Sequence, residues 1–147
     1  VQGLVGGTGC SGADLTMRRA LAAAAAYFAI VFSLAFALGI VRTVLVAPGT
    51  GDVVAVLIET PLVLLASWFA ARWCTRRFSV PAHAPDRLAM GLAAFTLLMT
   101  VETALGLVLF GRPLAQKFAA FGAPAGAIGL LAQVAFGLMP LLATRRR

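Results

Sequence analysis

Four long apolar stretches, separated by short polar segments, dominate the sequence. They cover approximately residues 21–46, 52–73, 88–110 and 124–143. Crossing the hydrocarbon core of a membrane takes about 20 helical residues, so each stretch is long enough. Hydrophobic residues make up 61% of the 147 residues and charged residues 12%, whereas soluble domains average about half and about a quarter. The sequence therefore predicts an all-α fold, a four-transmembrane-helix bundle.

The four stretches consume more than half of the chain and leave little for another domain. Residues 17–147 are therefore predicted to form a single transmembrane domain. Residues 1–16 are rich in glycine and have no long apolar run, so they are predicted to be a disordered N-terminal extension.

Short polar connections join the predicted spans. Residues 47–51 contain proline and glycine and are expected to reverse the chain, with Thr50 or Asp52 capping the second span. Two prolines prevent a helix across residues 78–86. Between the third and fourth spans, apolar side chains recur at helical spacing over residues 114–121, which predicts a short interfacial helix on the periplasmic membrane surface.

The distribution of Lys and Arg predicts the orientation of the bundle, because short cytoplasmic loops retain positive residues. On one side lie Arg18, Arg19, Arg72, Arg76, Arg77, Arg87, Arg145, Arg146 and Arg147, and on the other side lie Arg42, Arg112 and Lys117. This asymmetry predicts a protein of the bacterial inner membrane with both termini in the cytoplasm. The expected cytoplasmic anchors to the anionic phospholipid headgroups of the lipid bilayer are Arg72, Arg76, Arg77, Arg145, Arg146 and Arg147.

The polar residues outside the membrane anchors argue against several classes of function. A net charge of +7 does not indicate nucleic-acid binding here, because the basic residues lie at the ends of apolar stretches. Cys10 and Cys74 form no CxxC pair, and the single histidine, His83, lies in a polar connection, so no metal site and no cofactor are predicted. Ser33 and Ser67 have no histidine or lysine at their depth to activate them. No catalytic residue is predicted, although a hydrolase with paired carboxylates is left open.

Three ionisable residues fall inside the predicted spans: Arg42, Glu59 and Glu102. At 1.5 Å per residue, Glu59 and Glu102 lie about 10 and 12 Å from the outer ends of their spans, and Arg42 about 6 Å. An isolated charge at the centre of a span costs roughly 2.5–3.5 kcal/mol, so these residues are predicted to face one another in an intramembrane polar cluster, with Gln133 somewhat deeper. One arginine cannot neutralise two glutamates, so one carboxyl is expected to be protonated or to find another cation. The cluster is interpreted either as a structural lock or as a ligand or proton site.

Small residues predict where the helices approach closely. Ala35 and Gly39 share a face with Arg42, and glycines recur around Gln133 in the fourth span. The predicted helix-packing face comprises Ala35, Gly39, Gly122, Gly126, Gly129 and Gly137. Pro61 follows Glu59 by two residues and is predicted to kink the second helix, because it removes a backbone donor.

Several sequence segments carry a resemblance to a family of membrane proteins: the run from Arg42 to Gly49, Glu59-Thr-Pro61, Ser67-Trp68, Arg72 and Glu102. The chain resembles small uncharacterised four-span membrane proteins of proteobacteria, over nearly all of residues 17–144. The resemblance implies a four-span fold and an inner-membrane location, and it implies no activity.

Two functions are favoured by these features, and a lipid-modifying enzyme with its acids near the outer leaflet is left open as a third. The first is a non-enzymatic accessory or assembly subunit that packs against a larger membrane complex, or against copies of itself as a homo-oligomer. The alternative is a small transporter or a ligand- or proton-binding membrane protein that uses the Arg42, Glu59 and Glu102 cluster.

Overall fold

The computed structural model describes residues 9–143, with side chains from residue 12 onward, and contains no β-strand within that range. Its elements are α1 (Gly9–Val41), a π-helical segment (Arg42–Val46), α2 (Ala47–Thr50), α3 (Asp52–Arg77), α4 (Ala84–Phe110), α5 (Leu114–Ala120) and α6 (Pro124–Leu142). The all-α prediction is confirmed for the described residues. Four helical stretches in them are long and apolar enough to cross a membrane: α1 with its continuation to Thr50, α3, α4 and α6.

The four long helices form a ring in which sequence neighbours are not always spatial neighbours. Helix α1 packs against α3 and α4, and α6 also packs against α3 and α4. Because the connections are short, consecutive long helices run antiparallel. Helices α1 and α6 therefore lie diagonally across the ring, as do α3 and α4.

One end of this ring is closely packed and the other is not. Nearly all buried side chains lie within one half, which we call the closed end: Ala20, Ala23, Ala24, Tyr27, Val31, Ser67, Ala70, Ala71, Cys74, Met90, Ala94, Leu98, Phe136 and Met139. Helix α1 contributes no buried residue beyond Val31, and α4 none beyond Leu98. The helices are therefore loosely packed at the opposite half, the open end, where α2 and α5 lie.

Helix α1 extends further in both directions than the sequence predicted. It begins at Gly9, so residues 9–16 are helical where a disordered extension was expected; residues 1–8 of that prediction lie outside the described residues. At the other end, the helix continues through the predicted turn at 47–51, and the chain reverses only at Gly51, whose positive φ of 82° suits glycine.

Pro48 does not end this helix because the backbone widens just before it. The segment Arg42–Val46 is π-helical, and the amide of Ala47 donates to the carbonyl of Arg42. A wider turn relieves the clash that a proline ring makes with the carbonyl four residues earlier. The predicted cap of the second span is also wrong: Gly51 occupies the N-cap position without a side-chain cap, and the hydroxyl of Thr50 donates instead to the carbonyl of Val46.

Buried Arg87 fixes the connection between α3 and α4. This connection is shorter than predicted, since α4 begins at Ala84 with Pro85 in its first turn. From the first turns of α4, the Arg87 side chain donates to the carbonyl of Pro81 (2.9 Å) and to that of Val80 (3.2 Å). These hydrogen bonds satisfy two backbone carbonyls in the non-helical connection at residues 78–83.

Pro140, a proline inside α6, is paired with a residue across the ring. Pro140 has no amide hydrogen to give to the carbonyl of Phe136, four residues earlier. The hydroxyl of Tyr27 on α1 donates to that carbonyl at 2.9 Å. The aromatic rings of Tyr27 and Phe136 also stack, with their centroids 4.5 Å apart. Pro61 lies inside α3, which continues through it as one helix, and the predicted kink stays a prediction.

Candidate functional site

The four predicted polar residues lie at one depth below the open end. Because the first helix continues to Thr50, Arg42 is eight residues from that end, about 12 Å at 1.5 Å per residue. Glu59 is about 10 Å from the start of α3, Glu102 about 12 Å from the end of α4, and Gln133 about 13 Å from the start of α6. The longer first helix thus brings Arg42 to the depth of the carboxylates.

The first polar contact joins the first helix to α3. Arg42 Nε lies 2.7 Å from Glu59 Oε2, and the two side chains are 29% and 18% exposed. Gly39, one turn before Arg42, lies beside the carboxylate: a Cβ at this position would make an ordinary van der Waals contact with Glu59 Oε1, at 3.9 Å. The two groups of this ion pair are therefore in close contact, but both side chains remain partly exposed.

The second polar contact joins α4, α6 and α5. Gln133 Nε2 donates to Glu102 Oε2 at 2.7 Å, and Lys117 Nζ lies 3.7 Å from the same oxygen. Lys117 also donates to Thr103 Oγ1 at 2.8 Å. Lys117 is thus the further cation that the two carboxylates require. The charge imbalance signalled that such a cation was needed, but nothing in the sequence placed α5 close enough to supply it.

The structure brings Arg42, Glu59, Glu102 and Gln133 to one cavity. Within it, Arg42 pairs with Glu59, and Gln133 pairs with Glu102. The cavity has a volume of about 210 Å³ and lies between the four long helices. Its remaining lining is mainly apolar and includes Ala35, Val63, Leu98, Gly129 and Phe136. The polar groups of two opposite helix pairs therefore face a common space.

A wider cleft shares walls with this cavity. It measures about 800 Å³ and lies between α1, α4 and α5 at the open end. Both spaces are lined by Arg42, Glu59 and Glu102, whereas Lys117 and Arg112 line only the cleft. Helices α1 and α4 have no buried residue at this level, since their last ones are Val31 and Leu98.

The predicted packing glycines have different surroundings. A Cβ on Gly129 would meet no atom within 4 Å, so this glycine leaves space beside the cavity. A Cβ on Gly137 would lie 3.2 Å from Phe95 Cβ on α4, and a Cβ on Gly126 would overlap the carbonyl of Ala120 at the end of α5. Gly122 lies in the turn before α6.

A close backbone approach between α4 and α6 involves a glycine that the sequence reasoning missed. A Cβ on Gly91 of α4 would overlap the carbonyl oxygen of Gly137 on α6. Gly91 lies on α4 and is not part of the glycine repeat of α6 that contains Gly137, so no sequence pattern linked the two residues. This contact holds α4 and α6 together below the cavity.

The predicted anchor residues within the described range lie near the closed end. Arg72 is half-buried with its guanidinium 6.0 Å from the ring of Trp68, whereas Arg76 and Arg77 are exposed at the end of α3. Arg145, Arg146 and Arg147 lie outside the described residues. Within the described part of the chain, no group of three His, Cys, Asp or Glu residues could hold a metal ion.

Comparisons with known proteins do not identify the chain: no protein-family model, no curated protein and no solved structure matches it. A function must therefore be inferred from the geometry of the cavity and the cleft.

Proposed function

We propose that the protein is a small multi-pass protein of the bacterial inner membrane that binds a ligand with a polar group in the cavity between its four long helices. Both termini lie in the cytoplasm, and the open end with α5 faces the periplasm. The proposal adopts the ligand-binding alternative rather than an assembly lock.

The arrangement of the polar groups around an open space carries this proposal. A lock would hold its charges in a dry and fully paired contact, since unpaired charges in lipid are costly. Here Glu59 and Glu102 stay 18% and 33% exposed and border a cavity of about 210 Å³. The buried Oε1 atom of Gln133 has no hydrogen-bond partner among the described residues. A mainly apolar cavity with a few converging polar groups is the usual form of a small-molecule site.

The orientation is supported by where the basic residues lie on the fold. Among the described residues, the closed end carries Arg72, Arg76 and Arg77, and the open end carries only Arg112 and Lys117 besides Arg42. Short loops that are rich in positive residues are retained on the cytoplasmic side of the membrane. A cysteine at Gly49 should therefore react in intact cells with a membrane-impermeant thiol reagent that has crossed the outer membrane. A cysteine at Ala82 should react only after the inner membrane is opened, and the reverse pattern would contradict the orientation.

Native mass spectrometry of the protein, extracted from its own membrane in mild detergent, tests ligand binding. We expect a discrete bound mass on the wild-type protein that is lost in Gly129→Leu, because the introduced leucine side chain fills the cavity without meeting neighbouring atoms at its Cβ. The matched control is Gly49→Leu, which also has open space at its Cβ but lies outside both the cavity and the cleft.

The same spectra also test the assembly role. A bound mass that persists in Gly129→Leu, or spectra with no bound mass in any variant, would overturn the ligand proposal. Stable dimers or complexes without a bound small molecule would instead favour an accessory subunit or a homo-oligomer.

A further inference from the structure

We propose that the ligand is a phospholipid with an anionic headgroup, held with its phosphate beside Arg112 at the open end and its acyl chain in the cleft between α1 and α4, which shares walls with the cavity. This inference rests on the proposed function and names the chemical class of the ligand. It concerns the wide cleft, whereas the test of the proposed function fills the narrow cavity.

The walls of the cleft suit a hydrocarbon chain. On α1, the rings of Phe28, Phe32 and Phe36 stack along one face at 5.1 and 5.9 Å, and the last two line the cleft. On α4, Leu105, Leu107 and Phe110 form the facing wall. A volume of about 800 Å³ is within the range of pockets that bury a drug-sized molecule, roughly 300–1,000 Å³. The cleft can thus take a chain of many carbons.

The charges of the cleft select the headgroup. Its lining contains the cations Arg42, Arg112 and Lys117 and the carboxylates Glu59 and Glu102, which leaves one positive charge in excess. Arg42 and Lys117 each lie against a carboxylate. Arg112 makes no ion pair with any described residue, and its guanidinium lies 5.4 Å from the centre of the exposed Phe110 ring. A planar guanidinium binds phosphate oxygens in pairs, so an anionic phosphate complements this end of the cleft.

A lipid fits the cleft better than free phosphate does. Inorganic phosphate would meet the cationic groups but would leave the phenylalanine and leucine walls without a partner. Gly106, on α4, also lines the cleft, and a Cβ there would meet no atom within 4 Å. This leaves a trough beside the charged groups rather than a closed anion pocket.

Binding of defined lipids to the delipidated protein in detergent tests the assignment, with native mass spectrometry as the readout. The probes are phosphatidylglycerol, phosphatidylcholine and inorganic phosphate. We expect phosphatidylglycerol to bind about tenfold more tightly than phosphatidylcholine, because both carry the same anionic phosphodiester but only phosphatidylcholine brings a quaternary ammonium, which the excess positive charge of the cleft repels. Arg112→Gln should remove most of that preference, and Gly106→Trp should weaken both lipids by blocking the trough.

Matched controls separate this site from general attraction to charge. Arg76→Gln removes an exposed arginine at the end of α3, remote from the cleft, and should keep the preference. An equal loss in Arg76→Gln and Arg112→Gln would overturn the proposal, as would equal binding of both lipids. Displacement of phosphatidylglycerol by millimolar phosphate would assign the site to the free anion.

The two proposals fail in distinguishable ways. In one outcome, the native ligand is lost in Gly129→Leu, but Arg112→Gln and Gly106→Trp leave phosphatidylglycerol binding unchanged. The cavity then binds a ligand, but the lipid assignment is wrong. If no variant changes any bound mass, the proposed function itself is wrong.

Discussion

The hydroxyl of Tyr27 donates to the carbonyl of Phe136, the acceptor that Pro140 leaves without a backbone donor. Tyr27 and Pro140 are both fully buried, so this carbonyl has no access to solvent. An unsatisfied buried backbone group is costly, and more so inside a membrane. One phenol thus compensates for a proline on the helix diagonally opposite.

Tyr27→Phe should therefore lower the free energy of unfolding by about 1–2 kcal/mol while keeping the ring stack. Pro140→Ala supplies an amide donor to the same carbonyl, so the effect of Tyr27→Phe should be smaller by about 1 kcal/mol in that background. Unfolding in a graded denaturing detergent measures all four proteins. Equal effects of Tyr27→Phe in both backgrounds would show that the bond does not compensate for Pro140.

The glycine contact between α4 and α6 makes a second prediction. Gly91→Ala should destabilise the fold by roughly 1–3 kcal/mol, because its Cβ would overlap the Gly137 carbonyl and backbone cannot move aside cheaply. Gly106→Ala is the matched control on the same helix, where a Cβ meets no atom within 4 Å. It should be neutral or slightly stabilising, because alanine favours helix. Similar losses in both variants would contradict the close approach at Gly91.

The Arg42 and Glu59 pair makes a third prediction. Arg42→Met should cost about 1–3 kcal/mol, less than the roughly 3–5 kcal/mol of a fully buried pair, because the two side chains are 29% and 18% exposed. Adding Glu59→Leu removes the uncompensated carboxylate and should recover most of the loss. The measurement is again unfolding in detergent. A double variant less stable than Arg42→Met alone would mean that Glu59 has another stabilising partner.

The sequence predicted the helices better than it predicted their contacts. Length and hydropathy were enough to predict four candidate spans, since crossing a membrane sets a minimum number of apolar residues. The same reasoning ended the first helix at residue 46, because a Pro-Gly pair normally breaks a helix and no periodicity reveals the π-helical segment before Pro48. That error placed Arg42 too near the surface.

The pairing within the polar cluster could not be read from the sequence. Depth follows from counting residues along one helix, so Glu59, Glu102 and Gln133 could be placed in nearly one layer. Which of them touch depends on how the side chains are directed within the ring, because α1 neighbours both α3 and α4, and α6 neighbours both as well. Lys117 was missed for the same reason, because its contact with Glu102 depends on how α5 folds back over α4.

The tether formed by Lys117 makes a fourth prediction. Helix α5 has only seven residues and none of them is buried, so it has little apolar contact to hold it. Its side-chain links to α4 are the contacts from Lys117 Nζ to Thr103 and Glu102. Lys117→Met should therefore raise the rate of amide hydrogen exchange in residues 114–120, because local opening depends on local contacts, and should leave α4 and α6 unchanged. Gln116→Met is the control, since this exposed neighbour makes no side-chain hydrogen bond among the described residues. If exchange in α5 rises equally in both variants, or in neither, then Lys117 does not hold this helix over the cleft.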